Sequence, residues 1–222
     1  MKSIIKSLTA LLLLSVTSLQ AHEIWLVKEN NNQVKLFLGE PGEPDTGDKL
    51  SGLKNTKIYT TTKDNSLPIV QNEAYWSTKV TESGDVRATV DDLWKPWDLE
   101  DVPAWMFWKS PKKQAAKLFA KAGRNDTQSE TNFEFVPVSA QSDTLTLTYL
   151  NTPVKEHAVM VLTPNKEKIK LTTDKQGNIT VPTAESGLYV VSSDYPVAGE
   201  TVIAGHNVDS TYNITSITFW VE

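Results

Sequence analysis

Three features of the sequence predict an all-β protein built from two β-sandwich domains, the second of immunoglobulin or fibronectin type. Short runs alternate apolar and polar residues. Turns containing Asn, Gly and Pro separate them. Thr, Val, Asn, Ser and Pro are frequent, and helix formers do not dominate. The 222 residues suffice for one large domain or two small ones, and 39% hydrophobic against 22% charged residues is a globular balance, not a disordered one.

Residues 1–21 read as a secretory signal. Lys2 and Lys6 form a short basic region, and Leu8–Val16 is an apolar core too short to span a bilayer as a helix. The favoured cut follows Ala21; a cut after Ser18 is the alternative. Loss of residues 1–21 removes two lysines and no acid, which leaves 20 basic and 27 acidic residues and a formal charge of −7. Such a surface does not suit nucleic acid or anionic membranes, but it suits a protein that meets cations. There is no cysteine, so disulfides, a lipoprotein anchor, thiolate metal sites and cysteine catalysis are excluded. No later segment resembles a transmembrane helix. The expectation is a soluble periplasmic or secreted protein with no stable membrane insertion.

The first domain is assigned to residues 22–122. EIWLVKE and QVKLFLG are strands joined by an Asn turn, and NTKIYTTT, LPIVQ, EAYWSTKV and DVRATV continue the pattern. KQAAKLFAKA (113–122) fits either a short amphipathic helix or a strand. The polar run GRNDTQSET (123–131) is assigned as a linker. The second domain, 132–222, holds seven strand-like runs: FEFVPV, TLTLTYL, HAVMVLTP, KIKLTTD, NITVP, GLYVVSSD and YNITSITFWVE. Before the linker, 92–111 carries four of the seven tryptophans, Trp94, Trp97, Trp105 and Trp108. They form either an aromatic platform for a sugar or partner, or a cover for a sheet edge.

The chain lacks a nucleophile elbow, a P-loop, a dinucleotide fingerprint, an HExxH helix and an EF-hand loop, so it reads as a binding protein and not an enzyme. GEPGEPDTGD (39–48) is acidic without calcium-loop spacing; its prolines favour a rigid turn. The histidines remain: His22, His157 and His206. After a cut at Ala21, His22 offers an α-amine and Nδ1 on one residue, which close a six-membered chelate ring. Reference α-amines and imidazoles have pKa values of about 7.7–8.0 and 6.5, so donors of both types deprotonate readily near neutrality. Nitrogen donors suit Ni, Co, Cu or Zn. Two nitrogens hold a metal weakly, so His206 is expected as a third, with His157 and Glu40 as further candidates; Glu23 and Glu43 are nearby carboxylates. His157 also reads as a surface residue at a strand start.

AHEIWL directly after the signal, followed by VKLFLGEPGE, resembles the opening of the periplasmic components of cobalt/nickel transport systems. KLFAKAG before FEFVPV, TPVKEHAVMVLTPN, TTDKQGNITVP, GLYVV and GHNVDSTYNITSITF are similar to later parts of that family. The resemblance implies a periplasmic two-domain β-sandwich that handles a divalent transition metal, Ni²⁺ or Co²⁺, for a membrane uptake transporter. It carries His22 over as a ligand. The family's further late histidines are replaced here by SSDYPVAG and STYNITS, which leaves His206 alone in that region. Two other expectations stand beside this one: a Cu²⁺ protein using the N-terminal histidine, and a metal-free carbohydrate-binding or adhesion module using Trp94–Trp108.

Overall fold

The computed structural model describes residues 22–60, 66–103, 105, 106 and 108–222; the expected signal segment lies outside them. In chain order the first half contains β1 (Glu23–Lys28), β2 (Gln33–Glu40), β3 (Glu43–Pro44), a 3₁₀ helix (Gly47–Asn55), β4 (Lys57–Tyr59), β5 (Val70–Gln71), β6 (Trp76–Lys79), β7 (Val86–Val90), β8 (Trp97–Asp98) and β9 (Lys113–Ala122). The second half contains β10 (Phe133–Pro137), β11 (Thr144–Tyr149), β12 (Thr152–Pro153), β13 (Ala158–Leu162), β14 (Lys168–Thr172), β15 (Asn178–Thr180), β16 (Gly187–Ile203) and β17 (His206–Val221). The all-β class is as the alternation predicts.

These strands form three stacked sheets. The central, eight-stranded sheet runs β14-β13-β16-β17-β9-β7-β4, with β8 on β9. One outer sheet is β1-β2-β6-β5 with β3; the other is β10-β11-β12 with β15. Side-chain alternation on the central strands shows how both faces are used. Leu118, Ala120 and Ala122 of β9 and Ile214 of β17 join Ile24, Leu26 and Leu36 in one core. Phe119, Ile217 and Phe219 join Phe133, Phe135 and Leu145 in the other. KQAAKLFAKA is therefore a strand, and its indecisive pattern follows from burial on both faces.

The division at 123–131 does not coincide with a break in the architecture. β9 and β17 pair in parallel from Gln114↔Ser210 to Ala122↔Thr218, so the two halves share one sheet. Nor is 123–131 a solvated spacer. It closes over a buried charge cluster where Arg87 and Lys121 stand opposite each other on β7 and β9. Glu134 Oε1 accepts from Arg87 Nη2 at 2.9 Å and lies 3.2 Å from Lys121 Nζ, while Asp126 pairs with Arg87 Nη1 at 2.8 Å. The backbone N–H groups of Asn125 and Asp126 donate to the Asp85 carboxylate, and those of Glu130 and Thr131 donate to Glu134 Oε2. Polar residues with no large apolar neighbour make good loop material, and here their main chain neutralises buried acids.

Gly123 starts this segment with φ +111°, and a Cβ there would stand 2.2 Å from Asp85 Oδ1. Gly123→Ala is expected to destabilise the protein by roughly 2–4 kcal/mol, since the left-handed backbone and the clash with a hydrogen-bonded carboxylate add. Urea unfolding measures this; a shift under about 0.5 kcal/mol would contradict the packing described.

Candidate functional site at the start of the first strand

β1 is an edge strand, yet its carbonyls are not left open. Ser216, Thr218 and Trp220, alternate residues of β17, donate side-chain hydrogen bonds to the carbonyls of Ile24, Leu26 and Lys28, the first at 2.7 Å and the last at 3.1 Å. Ser216 and Thr218 are buried, and these bonds satisfy them. Trp25 and Val27 pack on Val190. β1 is thus held along its length, and its first residues are delivered to a fixed place.

Beside that place the chain folds back on itself. Glu40-Pro41-Gly42-Glu43 turns tightly, with Gly42 at φ +95°, and returns as β3 against β2. Gly39 has φ +123°, and a Cβ on it would meet Asp45 N at 2.8 Å, so only glycine admits the close return. The Asp45 N–H donates to Leu38 O at 2.8 Å. Since Gly39 is the register partner of Glu23, the turn sets Asp45 next to the residue before it. His22 Nε2 lies 3.1 Å from Asp45 Oδ2, with the imidazole about half exposed (49%) and the carboxylate largely covered. Lys49 Nζ binds the other oxygen of Asp45 at 2.9 Å.

Chemically, a carboxylate accepting from Nε2–H selects one tautomer of a neutral imidazole. The lone pair is then on Nδ1, the nitrogen that closes a chelate ring with the amine of the same residue. A carboxylate on the far nitrogen is the usual support of a metal-bound histidine; it fixes the ring and raises ligand basicity.

One residue on, Glu23 points the other way, into a cavity of about 240 Å³ shared with Glu40, Lys168, Asp194 and Tyr212. Its side chain is almost fully buried. Burial pushes its carboxyl up to about 8; the Ser192 hydroxyl bonded to it and the more distant Lys168 oppose the rise, and the charges of Asp194 and Glu40 add to it. Burial thus favours the protonated form of Glu23 more than in a solvated glutamate. Burial also raises the Tyr212 phenol, which donates to Asp194 Oδ2 at 2.7 Å. Glu40 pairs with Lys168 at 3.3 Å and lines this cavity.

The other expected ligands lie elsewhere. His206 follows the tight turn Ala204-Gly205 at the far tip of the β16–β17 hairpin and lines a cavity with Asp91, Asp92 and Trp94. Because Ile24 docks at Ser216, the strand rise separates His22 from His206 by roughly 25 Å. The expected third nitrogen is not at His22. His157 is 2.6 Å from the carbonyl of Asp194 through Nε2 and sets its ring edge-on to Tyr195, part of the second-half aromatic cluster. Both partners describe a packed strand-start residue. Among the described residues, no group of three or more His, Cys, Asp or Glu side chains is placed to hold a metal ion. Asp45, Asp194 and Tyr212 escape sequence reading. Only the Pro-Gly return of GEPGEPD hints at Asp45, and nothing local hints at the other two.

The tryptophans of 92–111 divide. Trp94 and Trp97 pack against the first-half core, whereas Trp105 and Trp108 are 63% and 68% exposed, with ring centroids 6.0 Å apart and planes crossed at 69°.

No known protein family, curated protein or solved structure matches the chain.

Proposed function

We propose that the exported protein is a soluble periplasmic carrier of a divalent transition metal, Ni²⁺ or Co²⁺, which it binds at His22 and yields to a membrane uptake transporter. The observation that supports this reading is the His22 Nε2–Asp45 contact, which leaves Nδ1 as the ring nitrogen to chelate together with the main-chain nitrogen of the same residue. Once Ala21 is removed, that nitrogen is an amine. Amine and Nδ1 then form the chelate, Asp45 orients it, and water completes the metal's shell. A half-exposed, two-nitrogen chelate exchanges its metal readily, which suits a protein that hands its cargo on. Cu²⁺ competes for the same donors and binds them more tightly by the usual order of divalent ions.

Two measurements on the exported protein test the reading. Its mass should correspond to a chain that begins at His22. Titration with Ni²⁺ should show one site, and Asp45→Asn should weaken it by about tenfold or more. A chain that begins at Leu19 removes the amine from His22 and the proposal with it. Equal affinity in Asp45→Asn removes the orienting role of the carboxylate.

A further inference from the structure

The cavity of about 240 Å³ beside Glu23 has a floor that strand register defines. Lys170 of β14 stands opposite Met160 of β13, and Met160 opposite Ser192 of β16. Ser192 is in turn opposite Ser216, whose hydroxyl reaches the Ile24 carbonyl. Directly opposed residues of a sheet share a face, so this row lies on the side where β1 packs. Asp194, two residues beyond Ser192, is on the same face. From the edge of the sheet inwards, the floor therefore presents a cation, an apolar strip and then acceptors. Met160, in the strip, keeps 37% of its surface exposed.

The charges of this floor are not all matched within the protein. Lys168 pairs with Glu40 at 3.3 Å, which closes one end of the cavity. Glu23 is bonded to Ser192. Asp194 takes the Tyr212 hydroxyl, a neutral donor, on Oδ2 at 2.7 Å. Among the described residues neither Asp194 nor Lys170 has an ion pair, and the Lys170 ammonium has no hydrogen bond. One anion and one cation thus face the cavity uncompensated, on strands two spacings or about 10 Å apart.

That arrangement selects the ligand. A simple cation is repelled at Lys170, and a simple anion at Asp194. A molecule that carries both charges satisfies both ends. An ammonium and a carboxylate on one carbon, each extended by a charge-assisted hydrogen bond of about 2.8 Å, bridge most of the gap. The flexible lysine stem closes the rest. The cavity is smaller than the roughly 300–1,000 Å³ of drug-sized sites, so it suits a single residue and not a peptide.

We propose that this cavity binds a free α-amino acid with an apolar side chain. Its ammonium sits on Asp194, its carboxylate on Lys170, and its side chain over Met160. The inference is independent of the reading of His22, since it uses neither the terminal amine nor the imidazole.

Calorimetric titration of L-leucine and L-methionine into the chain beginning at His22, with no metal present, tests it. Both should bind at one site. 3-Methylbutylamine, which is leucine without its carboxylate, and 4-methylpentanoate, which is leucine without its ammonium, should each bind about tenfold or more weaker. Lys170→Gln should weaken leucine by about tenfold and leave the amine unchanged; Asp194→Asn should weaken both. Asparagine still accepts from Tyr212, so the unfolding midpoint should hold. If Asp194→Asn is unstable, Lys170→Gln and the two leucine fragments decide the matter. Absence of saturable binding of either amino acid up to about 1 mM, a fragment that binds as tightly as leucine, or equal leucine affinity in Lys170→Gln would overturn the proposal.

Discussion

Glu134→Ala is expected to lower stability by about 3–5 kcal/mol, seen as a large drop in the urea midpoint. The cost does not measure the worth of the ion pairs, because placing these charges in the interior is itself expensive. It comes from what remains. Glu134 Oε1 is shared by the opposed cations Arg87 and Lys121, and its Oε2 caps two backbone N–H groups of the closing segment. Alanine leaves the cations with Asp85 and Asp126 as their remaining carboxylates and removes the acceptor of both N–H groups.

Acid should act on the same point. Burial raises the Glu134 carboxyl, but Lys121 and Arg87 outweigh it and hold the group below the usual carboxylate range. A carboxyl whose folded pKa lies below its unfolded value contributes in full above the unfolded value, near pH 4.5. That contribution is lost as pH falls through the folded value. Stability should therefore fall steeply below about pH 4 in the natural chain and more gently in Glu134→Gln.

The β class was legible because strands such as β2, β11 and β13 alternate buried with more exposed residues. β9 was not, since a strand in the middle layer of three is apolar on both faces and loses its alternation. Ser216 and Thr218 mislead in the opposite sense: they look like a solvated face but are buried donors to β1. The joining of the halves is invisible locally, because Gln114 and Ser210 meet only through parallel pairing of distant strands. The site follows the same rule. His22 was legible from its own chemistry and its place after the signal. Asp45 depends on a Pro-Gly turn and on the missing side chain of Gly39, and His206 lost its expected role to the length of β17.

The largest functional effect should come from one residue added before His22. An extra alanine turns the α-amine into an amide, which no longer donates a free lone pair, and the six-membered ring is lost. Imidazole, Asp45 and the fold are untouched, so a lone nitrogen remains and affinity should fall by roughly a hundredfold or more. Proton release on binding should fall with it, because no ammonium is left to deprotonate.

Isothermal titration of Ni²⁺ into the chain that begins at His22, beside the chain that begins Ala-His22, is therefore the most direct test. The terminal chelate predicts one site in the first protein and a loss of roughly a hundredfold in the second, at equal unfolding midpoints. Equal nickel affinity in the two would contradict it.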